Sequence, residues 1–113
     1  PMIMDSVGCT PKFLEANPKA AKALAESYFQ ALDFIEANKD KAYEIMGADV
    51  KQSGAQFGKS ASYLRWQGRD ANRKFFSGEL QAFSKEAAEV LLEAGIIKKI
   101  PDIDAIIDTS VVK

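Results

Sequence analysis

The 113 residues contain no histidine and a single cysteine, Cys9. Without an imidazole there is no Ser-His or Cys-His pairing of nucleophile and base, and without a second thiol there is no internal disulfide or cysteine zinc cluster. Long apolar runs are missing as well. No stretch approaches the ~20 residues that cross a bilayer, and no basic-then-apolar leader opens the sequence, so the chain is expected to be soluble. Charge of one sign is equally absent: 15 Lys and Arg stand against 16 Asp and Glu, for a net charge of −1. The cations are scattered rather than clustered, which argues against a nucleic-acid partner. There is no internal repeat and no low-complexity segment.

The opening PMIMDS has no initiator methionine, which points to a processed, cloned or cleaved product. The SVGC around Cys9 has the look of a lipoprotein acylation site, but no apolar segment precedes it, and Cys9 is read instead as a small buried residue. What is present is a hydrophobic content of 47%, enough for a modest core in one domain or a piece of one.

The best-defined stretch is residues 17–37, NPKAAKALAESYFQALDFIEA. Asn17 is suited to cap a helix and Pro18 to occupy its first position, where a backbone N–H has no intrahelical partner. Ala21, Leu24, Tyr28, Ala31, Leu32 and Ile35 then fall on one stripe, with Lys19, Lys22, Glu26, Gln30 and Asp33 largely away from it. Phe29 and Phe34 flank the stripe. Two large aromatics on either side of a seam predict burial from more than one direction. A self-sufficient bundle would bury both within this chain, whereas a piece of a larger fold would leave one face to a partner.

Elsewhere, punctuation sets the elements. Residues 2–5 are apolar enough for a short strand, followed by a loop over 6–10. Thr10 and Pro11 open a short helix, PKFLEA, closed by Asn17 and Pro18. Asn38 caps a helix that stops at Gly47. Asp49 and Gln52 resemble a capping box for a helix over 50–57, with Gly58 as terminator and Gly54 as a weakness of about 1 kcal/mol relative to alanine. Residues 60–67, SASYLRWQ, lose the helical stripe and read as extended. Asp70 caps a short helix through Phe76, and Ser77 caps another over 79–94 whose stripe is Leu80, Phe83, Ala87, Val90, Leu91 and Ala94. Gly95 ends it, with Ile96 folding back on Leu91 in a Schellman-type cap. The tail carries one helical turn near 104–107.

Few residues invite chemistry. Asp102, Asp104 and Asp108 are the densest carboxylates, but they lack the glycine and distal glutamate of a calcium loop, and without histidine they make a poor transition-metal site. They are read as turn and cap residues. Arg65 beside Trp66 is the one pairing of cation and aromatic in a non-helical stretch. The planar guanidinium suits carboxylate, sulfonate or phosphate, so the pair is the candidate contact for an anionic ligand. The alternative is a tryptophan anchoring a loop to the core. No catalytic residue and no cofactor is assigned.

The order of these signals carries a family resemblance. F-L-x-x-N-P at Phe13, Leu14, Asn17 and Pro18 precedes the long helix and its continuation ALDFIEANKDKAYEIM. Extended LRW, the short helix RDANRKFF and a closing helix running into EAGIIKKIPDIDAIID follow. This resembles the C-terminal portion of solute-binding proteins of nitrate, sulfonate, taurine and bicarbonate type ABC importers, a family shared with thiamine-pyrimidine-precursor binders. The similarity covers nearly the whole chain.

The resemblance implies a two-lobed α/β periplasmic-binding-protein-like fold of type II, with ligand held between the lobes and a membrane permease as partner. Residues 1–113 would be a single segment of such a protein, mostly α with one or two short strands, forming the helical coat of the first lobe. The remainder of the protein, or a second copy, would cover its apolar faces. Location would be periplasmic or extracytoplasmic, and the ligand a small, anionic solute. The family's strongest anion contacts, at helix N-termini, map onto no position here; Arg65 and Trp66 are the residues expected to approach the cleft. Two other readings are a freestanding helical interaction module, pairing the long helix with the 79–94 helix antiparallel, and part of an enzyme similar to the pyrimidine-precursor synthases of the same fold. The histidine and cysteine-rich stretch that those enzymes use are missing from these residues.

Overall fold

A computed structural model describes residues 3–112. Seven α-helices follow one another among them: α1 (Pro11–Ala16), α2 (Ala20–Ala37), α3 (Lys39–Asp49), α4 (Gly54–Ala61), α5 (Arg69–Lys74), α6 (Leu80–Glu93) and α7 (Ile103–Ile106), and a single 3₁₀ turn, Thr109–Val112, comes last. The chain is mostly α, as expected, but the described residues form no β-strand. Of the expected strand at 2–5, Met2 lies outside the described residues, and residues 3–5 are irregular. The extended stretch at 60–67 begins inside α4, whose last turn contains Ser60 and Ala61, and residues 64–67 run on without a ladder partner. Tyr63, Leu64 and Trp66 have the bulk that favours a pleated surface, yet a strand also requires a neighbour to pair with.

Local capping explains where the first helices begin and end. Thr10 Oγ1 accepts from the Phe13 N–H at 3.2 Å and Pro11 takes the first helical position, so α1 starts where expected. Asn17 does not open α2. Its backbone N–H and its Nδ2 both donate to the Phe13 carbonyl, at 2.9 and 3.0 Å, which closes α1 instead. With that side chain folded back, Pro18 and Lys19 form a turn and α2 begins at Ala20. Asn38 behaves alike: its N–H donates to the Phe34 carbonyl at 2.8 Å, ending α2, and its side chain makes no cap for α3.

The α3–α4 hairpin departs furthest from expectation. Helix α3 passes through Gly47 to Asp49, and Lys51, at φ 58°, turns the chain. The capping box belongs to Ser53 and Gln56, not to Asp49 and Gln52: Ser53 Oγ accepts from the Gln56 N–H at 3.2 Å, and Gln56 Oε1 accepts from the Ser53 N–H at 2.8 Å. Gly58 lies inside α4 rather than after it. These glycines mark close approach. A Cβ on Gly47 would come within 2.9 Å of the Gln52 and Ser53 carbonyl oxygens, and one on Gly58 within 3.0 Å of the Tyr43 ring. Gly54, expected to weaken α4, is where α4 backs onto Glu44, with 3.1 Å to its Cγ. Ala42, Gly47 and Ala61 are buried here, and Tyr43 meets Phe57 edge to face at 5.6 Å.

Helix α5 is entered from Gly68, with Asp70 in its first turn and paired to Arg73 at 3.3 Å, so Asp70 is not the cap. The helix then breaks in the segment Phe75–Glu79, where Gly78 adopts φ 148°, ψ −28°. Ser77 donates its hydroxyl to the Lys74 carbonyl at 2.6 Å and does not cap α6. At the far end α6 closes as expected: Gly95 has φ 72°, its N–H reaches Leu92 O at 3.0 Å, and the Ile96 N–H reaches Leu91 O at 2.9 Å. Asp102 caps α7, whose turn sits one residue earlier than the expected 104–107.

Packing is thin. Helix α2 rests on α3 and on the 3₁₀ turn, while α6 packs on the break that precedes it and on α7, so α2 and α6 share no extended interface. The buried residues among those described are Phe29, Ala42, Gly47, Ala61, Ala88 and Val112, most of them too small to build a core alone. On α2, Phe29 is 5% exposed but Phe34 is 44% and Leu24 is 46%. The accessible surface is 9064 Å², against about 6,100 Å² for a compact monomer of 12.4 kDa. The radius of gyration is 16.7 Å, against about 13 Å for a globular chain of this length. No helix among the described residues is long and apolar enough to cross a membrane.

Candidate functional site

Arg65 and Trp66 lie in the open connection between α4 and α5. The side chains preceding and flanking them project outward: Tyr63 is 85% exposed and Leu64 half-exposed, and Trp66 itself is 40% exposed. Trp66 is therefore neither enclosed nor fully exposed. Arg65 is exposed, its carbonyl accepting from Gln67 Nε2 at 3.4 Å, and its guanidinium makes no ion pair among the described residues. Such an exposed cation is open to an anion. Two shallow depressions, one lined by Ile45, Met46, Asp49, Val50 and Phe57 and the other by residues 17–20 and Ala23, involve neither Arg65 nor Trp66.

The structure gathers its charged groups a few residues further on. Arg69, at the start of α5, directs Nη1 and Nη2 at the two carboxylate oxygens of Glu26 on α2, at 2.8 and 2.9 Å. Its Cζ also lies 4.5 Å from the centre of the Phe29 ring. The fork of two parallel hydrogen bonds holds the Glu26 carboxyl below its ordinary range, helped by the positive charges of Arg69, Lys22 and Arg73, while burial acts in the opposite sense. Reciprocally, Glu26 raises Arg69 above its ordinary value. One turn along, Arg73 Nε donates to the Val112 carbonyl at 3.3 Å, and Nη1 contacts Asp70. These guanidinium groups are committed to joining α2, α5 and the last turn, which leaves them a structural part in the site rather than a ligand-binding one. In the sequence Glu26 falls largely away from the apolar stripe of the long helix; Arg69 lies 43 positions on, and no local spacing signals the pair.

Carboxylate chemistry is no more concentrated. Asp102 Oδ1 accepts from the Ala105 N–H at 3.3 Å and Asp108 Oδ1 from the Ser110 N–H at 2.9 Å, which are cap and turn roles. No group of three or more His, Cys, Asp or Glu side chains suited to a metal ion occurs among the described residues. Cys9, expected to be buried, is exposed, as are residues 5–10 around it.

Comparison of the chain with protein-family models, with curated proteins and with solved structures returned no match.

Proposed function

We propose that this chain is a non-catalytic part of an extracytoplasmic solute-binding protein that captures a small anionic solute for an ABC-type importer. The reading begins from the order of FLxxNP, the long helix, LRW, RDANRKFF and EAGIIKKIPDIDAIID along the sequence. The observation that carries it structurally is the one-sided burial of α2, with Phe29 enclosed and Phe34 and Leu24 nearly half exposed. A helix that covers a sheet supplied by the rest of a larger protein has this distribution, and so does a surface about half again as large as a compact monomer requires.

In this reading Arg65 and Trp66 provide the chain's contribution to solute contact. The exposed guanidinium offers a planar fork to a sulfonate or nitrate, and Trp66 a flat apolar edge beside it. Enclosure would come from the opposing lobe, since ligand that touches both lobes only when they close shifts the population toward the closed form. The freestanding-module alternative draws on the tightly packed α3–α4 hairpin, but the antiparallel pairing of α2 with α6 that it requires is not formed.

Analytical ultracentrifugation of the 113-residue chain, with dye binding to apolar surface, tests the reading. Self-association or strong dye binding is expected of a helical coat without its sheet. A stable monomer that binds no dye would overturn it.

A further inference from the structure

We draw no further inference here: the strongest candidate, the outward apolar face of α2 carried by Leu24 and Phe34, has nothing in the structure to show what covers it beyond the reading already proposed.

Discussion

Arg69 holds both carboxylate oxygens of Glu26, at 2.8 and 2.9 Å, while its guanidinium carbon stands 4.5 Å from the centre of the Phe29 ring, less than one turn along the same helix. One side chain thereby ties α5 to α2 in two ways. Exposed ion pairs contribute little when single-point, and it is the bidentate geometry and the aromatic contact that distinguish this one. Arg69→Lys keeps the charge and loses the fork, so it is expected to lower the thermal midpoint followed by circular dichroism. Arg69→Ala should lower it further, because Phe29 also loses its cover. Equal midpoints for the two variants would remove the role assigned to the Phe29 contact.

The same pair sets an acid limit. The Glu26 carboxyl is held below its ordinary value by its hydrogen bonds to Arg69, so the folded state binds this proton less readily than the unfolded chain does. Its contribution is fully present above the ordinary carboxylate range and is lost as pH falls through the lowered value. Urea midpoints measured from neutral to acid pH should therefore drop on the acid side, and Glu26→Gln should flatten that drop. An unchanged pH profile in Glu26→Gln would assign the acid sensitivity to other carboxylates.

Glycines in the hairpin should differ in a stated order. Gly47→Ala places a methyl group 2.9 Å from two backbone oxygens that cannot swing aside, so a loss of about 1–3 kcal/mol is expected. Gly58→Ala meets only the Tyr43 ring, at 3.0 Å, which can shift, and its cost should be smaller. Gly54→Ala combines tight contact with Glu44 against the roughly 1 kcal/mol that alanine gains over glycine inside a helix. Gly8→Ala, with nothing within 4 Å, serves as the control. Chemical denaturation of the four variants ranks them directly.

Positive φ makes a separate prediction. Gly95 at φ 72° closes α6, and an alanine there costs about 1–2 kcal/mol in the left-handed region. Gly78 at φ 148° has open space around it, so Gly78→Ala is strained by its backbone alone. The expected response is relaxation of the break between α5 and α6, read as a change in the scattering radius. A radius identical to the parent's, together with unaltered stability, would count against a break held by Gly78.

For the proposed function, Arg65→Ala in the complete binding protein should weaken anion binding at least several-fold in a calorimetric titration. Because Arg65 is exposed and makes no ion pair among the described residues, the fold should be untouched. Unchanged affinity would withdraw the assignment.

Some chain-local signals are readable and others, equally local, are not: the capping box forms at Ser53 and Gln56, four residues on from the Asp49 and Gln52 that resemble one. Thr10 with Phe13, and Gly95 with Ile96 and Leu91, behave as their spacing dictates. Asparagine is ambiguous in sequence because its amide carries both donor and acceptor. The same side chain that could cap the next helix closes the previous one at Asn17. Glycine is ambiguous for a different reason: a residue without Cβ serves equally to stop a helix or to let another approach, and only the tertiary contact of α3 with α4 decides between them. Arg65 and Trp66 are visible as residue types, but no local spacing says what faces them, and the Glu26–Arg69 pair spans too much sequence to be inferred from it.

The order in which these contacts can form follows from where the 3₁₀ turn sits. Val112 is buried against elements whose residues are synthesised long before it, while the α3–α4 hairpin closes through neighbours in sequence. During translation the hairpin can therefore assemble as soon as α4 emerges, and α2 waits for its contact with the 3₁₀ turn until the other described helices have been made. Contacts of such high sequence separation are slow to form and leave the intervening apolar surface open meanwhile. The long helix is thus early in the chain but late to be secured against the last described turn.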